Sequence, residues 1–513
     1  MRFKVHETNP IKLSCITALG PLIGMMSSCQ ANTNLNVIKN LLQLSTAQAS
    51  WLLNIETLLA VIMTSFVGKV SERIGCTLIL SIGTLICAIS NLLVIVPEIY
   101  NNYLMLLLFR GISAIGIGFL APATMPTNYM LVQPGKLAIT ITISSVMIPV
   151  AGILVALSAG MVASSIGFQY MFLFVGCISL FTFICQIIWL PYDIQKNKRA
   201  KIDFIGVSLM SIGLCSLVIG LLSFSEKEFI PLWAKILLSL GGFIILIIFY
   251  FYDQKKSSNK VFQPQLLNKT ILTSATLILI VQAANFGERY LTPFNVVYNI
   301  KYKNEMTGVI MAIVCCSAFP FSPITNILLK KVIVKRILII IGMLYGLLML
   351  LNGFMFLYFP SFALYTVVSF INMGLFLSAV IITQTYNFAQ CPQKYNQQMG
   401  VLNHLMAQIG NVSGIILAVV IQVSVDENLN TPDIQYDPLS VAAVYWTFAG
   451  LFVIFVLLAS RLGMLPFERG KNGYIEREMS QTESFEESFI NSDEMVFTEQ
   501  FQGEGQIVEG YYI

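Results

Sequence analysis

The chain has 513 residues, 56% of them hydrophobic and 11% charged, with a formal net charge of +4. An ordinary soluble domain carries roughly 25% charged residues, so the composition excludes a soluble globular protein and points to a polytopic membrane protein. The acids gather at one end: from Met464 onward the chain holds eleven of its 26 Asp and Glu but only three Lys or Arg, which leaves the membrane part basic.

A spanning helix needs about 20 mostly apolar residues. Fourteen segments meet that description, at 11–31, 49–67, 76–96, 103–122, 137–161, 168–190, 204–224, 232–252, 271–292, 307–329, 336–359, 361–385, 402–425 and 441–463. The fold class expected is an all-α polytopic membrane protein with 14 transmembrane helices. Only the turn at Pro360 divides the eleventh segment from the twelfth. Between the second and third lies the charged, glycine-bearing stretch 68–75, which must sit at a membrane face because charge at mid-bilayer is costly.

Cytoplasmic loops carry an excess of Lys and Arg. With the N-terminus in the cytoplasm, the inner loops hold sixteen cations, from Lys69 and Arg73 through the cluster Lys196 to Lys201 to Lys394. The outer loops hold four: Lys39, Lys227, Lys301 and Lys303. Fourteen helices therefore place both termini in the cytoplasm. Residues 466–513 are polar and acidic and do not have the hydrophobicity to build a core. They read as a disordered cytoplasmic tail, with a docking site for a cytoplasmic partner as the alternative.

Other function classes lose support from what is missing. The ten cysteines lie mostly in apolar runs without a C-x-x-C pair, and His6 and His404 are the only histidines, so no metal or cofactor is expected. There is no phosphate-binding G-x-x-x-x-G-K-[ST] loop, which argues against an enzyme or an ATP-driven pump. No filter-like repeat suggests a channel, and no nucleic-acid partner is expected.

Helical neighbours lie three or four residues apart. Glu56, Ala60, Thr64 and Gly68 form one stripe in the second segment; Arg110, Ala114, Gly118 and Pro122 form another in the fourth. Gly152, Ala156 and Gly160 repeat the spacing in the fifth, as do Gly410, Gly414 and Ala418 in the thirteenth. Small residues so spaced let helices approach closely in lipid. They do not account for Glu56 or Arg110, since an ionised side chain inside a membrane faces a partner or a water-filled cavity. Gln282, Asn285 and Arg289 share a face of the ninth segment, with Glu288 beside it. Glu288 and Arg289 are adjacent, so they do not face each other.

These residues resemble the major facilitator superfamily, and within it the 14-helix drug/proton antiporter branch. Gly68, Glu72, Arg73 and Gly75 are similar to that superfamily's loop between helices two and three, with Glu72 in place of its Asp. Arg110 with Gly116, Gly118 and Pro122 resembles the fourth-helix motif. Asp203–Gly206 and Phe262–Leu267 resemble the entries to helices seven and nine of the 14-helix branch. The sequence departs from the pattern at Cys76-Thr77 (a basic pair in the family), Ser113-Ala114 (Gln-Gly), Val155-Ala156 (Gly-Pro) and Ser27 (often acidic).

The resemblance implies a 6 + 2 + 6 arrangement: an N-terminal bundle over 11–190, two extra helices and linkers over 191–269, and a C-terminal bundle over 270–465. These follow a cytoplasmic segment 1–10 and precede the tail 466–513. It further implies a secondary transporter of a small organic solute, working by alternating access and driven by the proton gradient as an efflux antiporter. Glu56, Arg110, Glu288 and Arg289 are the expected proton-coupling and cavity charges. Gln282, Asn285 and Asn403 are the expected substrate contacts, and Gly68, Glu72, Arg73 and Gly75 form the cytoplasmic gate. The partners are then the lipid bilayer, the solute and protons, and the setting expected is a bacterial inner membrane. An importer or facilitator for a metabolite or siderophore-like ligand is the alternative, and a non-transporting receptor or scaffold a third.

Overall fold

A computed structural model describes residues 10–44, 46–131, 149–156, 166–191, 203–223, 231–255, 260–263, 268–303, 305–391, 395–425 and 438–463, with single residues between them. The first half comprises α1 (Pro10–Leu41), α2 (Thr46–Ile74), α3 (Cys76–Leu93), α4 (Tyr103–Leu131), α5 (described over 149–156) and α6 (Gln169–Trp189). Next come α7 (Phe204–Ser223) and α8 (Leu232–Lys255). The second half comprises α9 (Lys269–Phe294), α10 in two pieces (Glu305–Cys316 and Ala318–Lys331), α11 (Val334–Tyr358), α12 (Phe362–Gln390), α13 (Asn396–Val425) and α14 (Pro438–Ser460).

Among the described residues, eleven helices are long and apolar enough to cross a membrane. Trp51–Thr64 in α2 and Ile205–Leu221 in α7 are shorter apolar stretches. Most of the fifth expected segment, the tail and residues 1–9 lie outside the described residues. The division at Pro360 stands where the sequence put it, between Tyr358 and Phe362.

Several expected boundaries move, and three of the shifts have a visible cause. The stretch 68–75 is not an eight-residue turn: residues 68–74 are the last two turns of α2, and the chain reverses at Gly75 alone. Gly75 has φ 106° and ψ 137°, a conformation that only glycine adopts without strain. α1 continues ten residues past its expected end because its polar residues point inward. Asn34 is buried and donates to the Gln30 carbonyl at 3.0 Å, and Leu35 and Ile38 are buried beside it. α10 breaks at Ser317, just before Pro320 and Pro323, neither of which can supply a backbone N–H to the preceding turn.

One apolar core lies among the first-half helices, around Ile23, Met26, Leu80, Leu120 and Val175. A larger one lies in the second half, around Leu277, Tyr345, Phe356, Ile382 and Phe448. The halves meet where α13 packs on α2 and α4, and α7 leans on α2 and α13 through Val61, Val207, Met210 and Leu402. α8 turns an apolar face outward, with Trp233, Leu237, Leu240, Phe243 and Phe251 exposed as a bilayer-facing surface requires.

Close backbone contact holds the second half together. A Cβ on Gly414 of α13 would lie 2.0 Å from the carbonyl oxygen of Ala283 on α9. Gly414→Val is expected to force these helices apart and to lower the thermal stability of the detergent-solubilised protein. Gly75→Ala is expected to cost about 1–3 kcal/mol, the usual range for a residue held in a sparsely populated backbone region. An unchanged melting temperature in either variant would contradict the corresponding contact or turn.

Candidate functional site: the central cavity

A cavity of about 310 Å³ lies between the halves. Its walls come from α1, α2 and α4 on one side and from α9, α12 and α13 on the other. Along α4 the lining runs from Arg110 to Thr124, a rise of about 21 Å at 1.5 Å per residue. Phe388 near the end of α12 and Gly400 near the start of α13 also line it. Helices α2, α4 and α12 end, and α3 and α13 begin, at one end of the bundle, so the cavity extends toward the end that carries Gly75.

The first-half wall is organised by a buried ion pair. The Arg110 guanidinium donates from Nη2 to Glu56 Oε2, and Ser28 Oγ donates to the other oxygen, Glu56 Oε1. Arg110 Nη1 donates to the carbonyl of Ser27 at 2.8 Å. Glu56 and Arg110 are both buried, at 6% and 2% exposure. Three helices supply the parts: α2 the carboxylate, α4 the guanidinium, and α1 the hydroxyl and carbonyl. Ala60, one turn beyond Glu56, abuts Gly118 on α4, so the small-residue stripes bring the two charged side chains together.

A neutral network backs this pair. Ser27 and Ser113 hydroxyls lie 2.9 Å apart, and Asn91 Nδ2 reaches Ser113 Oγ at 3.3 Å and Ser27 Oγ at 3.5 Å. Gln30 Nε2 donates to Asn91 Oδ1 at 2.6 Å. Thus Ser27 and Ser113, two positions where the sequence departs from the family pattern, sit side by side immediately behind Arg110.

The second-half wall is amide-rich. Gln282, Asn285 and Arg289 of α9 line the cavity with Phe286. From α13 come Asn403, His404, Gln408 and Asn411, linked along the helix by contacts of 3.1 Å (His404–Gln408) and 3.2 Å (Gln408–Asn411). Asn403 also accepts from Asn387 Nδ2 at 2.7 Å. The expected substrate contacts Gln282, Asn285 and Asn403 therefore share one wall, and His404, Gln408, Asn411 and Gln384 join them although sequence spacing had not singled them out.

Glu288 and Arg289 point to different places. Arg289 lines the cavity, with its Nη2 3.3 Å from Met373 Sδ and its guanidinium 5.8 Å from the Phe286 ring centre. Glu288 is not a cavity charge as expected: it faces into the second-half bundle. Its Oε1 accepts from Ser369 Oγ at 2.9 Å and from the amides of Asn352 and Asn372 at 3.4 Å. Asn372 also lies 3.4 Å from Oε2. The physical reason is the 100° step between adjacent helical residues, which sends one side chain to α11 and α12 and the next to the cavity.

The expected gate residues sit where α2 turns into α3, at the end of the bundle where α4 and α12 also end and α13 begins. Gly75 forms the turn, and Arg73 is exposed beside it. Gly68 and Glu72 are helical in α2; their side-chain environments lie outside the described residues. The corresponding second-half turn, after α10, is Val332–Ile333, with no glycine.

The cavity between two helical halves, with an ion pair on one wall and amides on the other, can be set beside known proteins. The chain resembles the vacuolar basic amino acid transporter 2 of Saccharomyces cerevisiae, 24% identical over 367 residues, or 67% of this chain and 74% of that protein. Among solved structures it is similar to the human organic anion transporter at TM-score 0.59 and 12% identity, covering 88% of this chain and all of that one. It is also similar to the xylose transporter of E. coli, at TM-score 0.57 and 13% identity, covering 89% and 98%. These structural likenesses bear on the fold, and the proteins concerned are transporters, not enzymes. The family model of the Major Facilitator Superfamily matches residues 18–415, most of the chain and both walls of the cavity, and this protein belongs to that superfamily.

Proposed function

We propose that the protein is a 14-helix secondary active transporter that exports a small organic solute in exchange for protons. The observation that carries this reading is the buried Glu56–Arg110 pair on the wall of the cavity between the halves. In this reading the two halves rock about a central site, the transport mode of this superfamily, whose substrate sites lie near the midplane.

The pair supplies the coupling chemistry. Ionised Glu56 holds Arg110 by charge and by hydrogen bond, tying α2 to α4. A proton on Glu56 removes the negative charge and leaves Arg110 with the Ser27 carbonyl as its remaining close acceptor. A change in the position of α2 carries the Gly75 end with it, since α2 is continuous from Thr46 to Ile74. In this reading Gly68, Glu72, Arg73 and Gly75 form the cytoplasmic gate, both termini are cytoplasmic, and the acidic tail is free to meet a cytoplasmic partner. The cation-rich loops support that orientation. A bacterial inner membrane fits the short loops. The yeast relative, named as vacuolar, favours an internal membrane instead.

A second reading keeps the fold and drops the antiport: an importer or facilitator. It is favoured by the fifth-helix positions Val155 and Ala156, which are fully buried apolar residues where antiporters of this branch have Gly-Pro.

Glu56→Gln is expected to abolish transport driven by a pH gradient in proteoliposomes; full pH-driven flux in that variant would remove Glu56 from the coupling role. Flux of the same solute in wild-type protein, insensitive to a proton uncoupler, would favour the facilitator. Arg110→Met leaves a buried carboxylate without its cation and is expected to cost about 3–5 kcal/mol of stability. The double variant Glu56→Gln with Arg110→Met is expected to recover part of that loss, read as a higher melting temperature than the Arg110→Met variant.

A further inference from the structure

We infer that Arg289 is the docking point for a carboxylate group of the transported solute. The inference rests on the cavity being the transport site and adds the chemistry of what enters it.

Arg289 lines the cavity from α9. Among the described residues no carboxylate lies within salt-bridge distance of it. Its neighbours are neutral and soft: the Met373 thioether at 3.3 Å, the Phe286 ring at 5.8 Å and the Cys29 thiol across the seam on α1. The nearest carboxylate in sequence, Glu288, is turned away and occupied by Ser369, Asn352 and Asn372. The cavity's other cation, Arg110, is already matched by Glu56. Among the described residues the cavity lining thus carries two arginines against one carboxylate, Glu56, which is held by Arg110, so Arg289 is left without an ion-pair partner.

Such a charge is costly in a low-dielectric setting unless an anion or water offsets it. A guanidinium offers five N–H donors in a planar fork, and sulfur is a weak acceptor that satisfies few of them. The partner that matches the fork is a planar anion with two oxygens, which it binds through two parallel charge-assisted hydrogen bonds. Gln282 and Asn285, on the same face of α9, add hydrogen-bonding amides, while Phe286 and Phe376 offer apolar surface for the rest of the molecule. The ligand class is a small organic carboxylate, either an organic acid or an amino acid; both present the same group to Arg289.

The test uses the purified full-length protein in lipid nanodiscs. Phenylglyoxal labels accessible guanidinium groups, and mass spectrometry follows the rate at Arg289 in wild-type protein. Benzoate, succinate and L-lysine are the carboxylate probes; succinamide and cadaverine are matched compounds without one. We expect at least one carboxylate to slow labelling of Arg289 severalfold and the matched compounds to leave it unchanged. Protection by benzoate or succinate alone assigns an organic acid, and protection by L-lysine alone an amino acid. If no carboxylate protects, or if succinamide and cadaverine protect equally, the inference is overturned. Melting curves supply a second readout: a protecting carboxylate should stabilise wild-type protein at a concentration at least roughly tenfold lower than it stabilises Arg289→Gln, as loss of a charged hydrogen-bond partner predicts. Arg289→Lys keeps the charge without the fork and should fall between them; equal affinity in all three overturns the inference. Carboxylate protection without solute flux in proteoliposomes would refute the transport reading and leave the anion site. Flux without carboxylate protection would do the reverse.

Discussion

The structure is governed by the cost of burying charge where water cannot solvate it. Four of the charged side chains on the helices around the cavity, Glu56, Arg110, Glu288 and Arg289, meet that cost in three ways. Glu56 and Arg110 neutralise each other across α2 and α4. Glu288 is surrounded by neutral donors from α11 and α12. Arg289 faces the cavity, where a ligand or water can reach it. Each solution fixes the rotation of its helix. α2 and α4 must turn Glu56 and Arg110 toward each other. α9 must turn Glu288 inward and so, one residue on, turns Arg289 to the cavity.

These rotations depend on close helix packing, and small residues supply it. Ala60 against Gly118 brings α2 near enough to α4 for the ion pair to form. Gly414 against the backbone of Ala283 seats α13 on α9. That contact aligns the amide face Asn403, His404, Gln408 and Asn411 with Gln282 and Asn285 on one wall. The glycines therefore act on the cavity indirectly: they set the distance at which polar side chains on neighbouring helices converge.

Much of this was legible in the sequence, for physical reasons that also explain what was not. Apolar runs locate helices because lipid tolerates little else, which is why the Pro360 division and most spans agree with the structure. Intramembrane charge marked Glu56 and Arg110, and the adjacency rule separated Glu288 from Arg289. Helix ends were less legible. Residues 68–74 look like a turn because they are charged, yet a helix can run past the apolar region and still hold its backbone hydrogen bonds. The neutral partners of the charges were not legible. Ser28 lies 28 residues from Glu56, and Ser369 81 residues from Glu288; Ser and Asn carry no periodic signal that would announce such contacts. The break in α10 follows from Pro320 and Pro323, which an apolar count does not weigh.

The departures from the family pattern gain a structural meaning from their position. Ser27 stands where an acid is often found and Ser113 where a glutamine is found, and the two hydroxyls are hydrogen-bonded to each other beneath Arg110. An acid at position 27 would compete with Glu56 for the same guanidinium, whose Nη1 already binds the Ser27 carbonyl. With serine there, Arg110 has one carboxylate partner within salt-bridge distance among the described residues, Glu56. The carboxylate that faces Arg110 therefore comes from α2, the helix that ends at the Gly75 turn. The ion pair thus ties α4 directly to the helix that carries the Gly75 turn, with no helix between them.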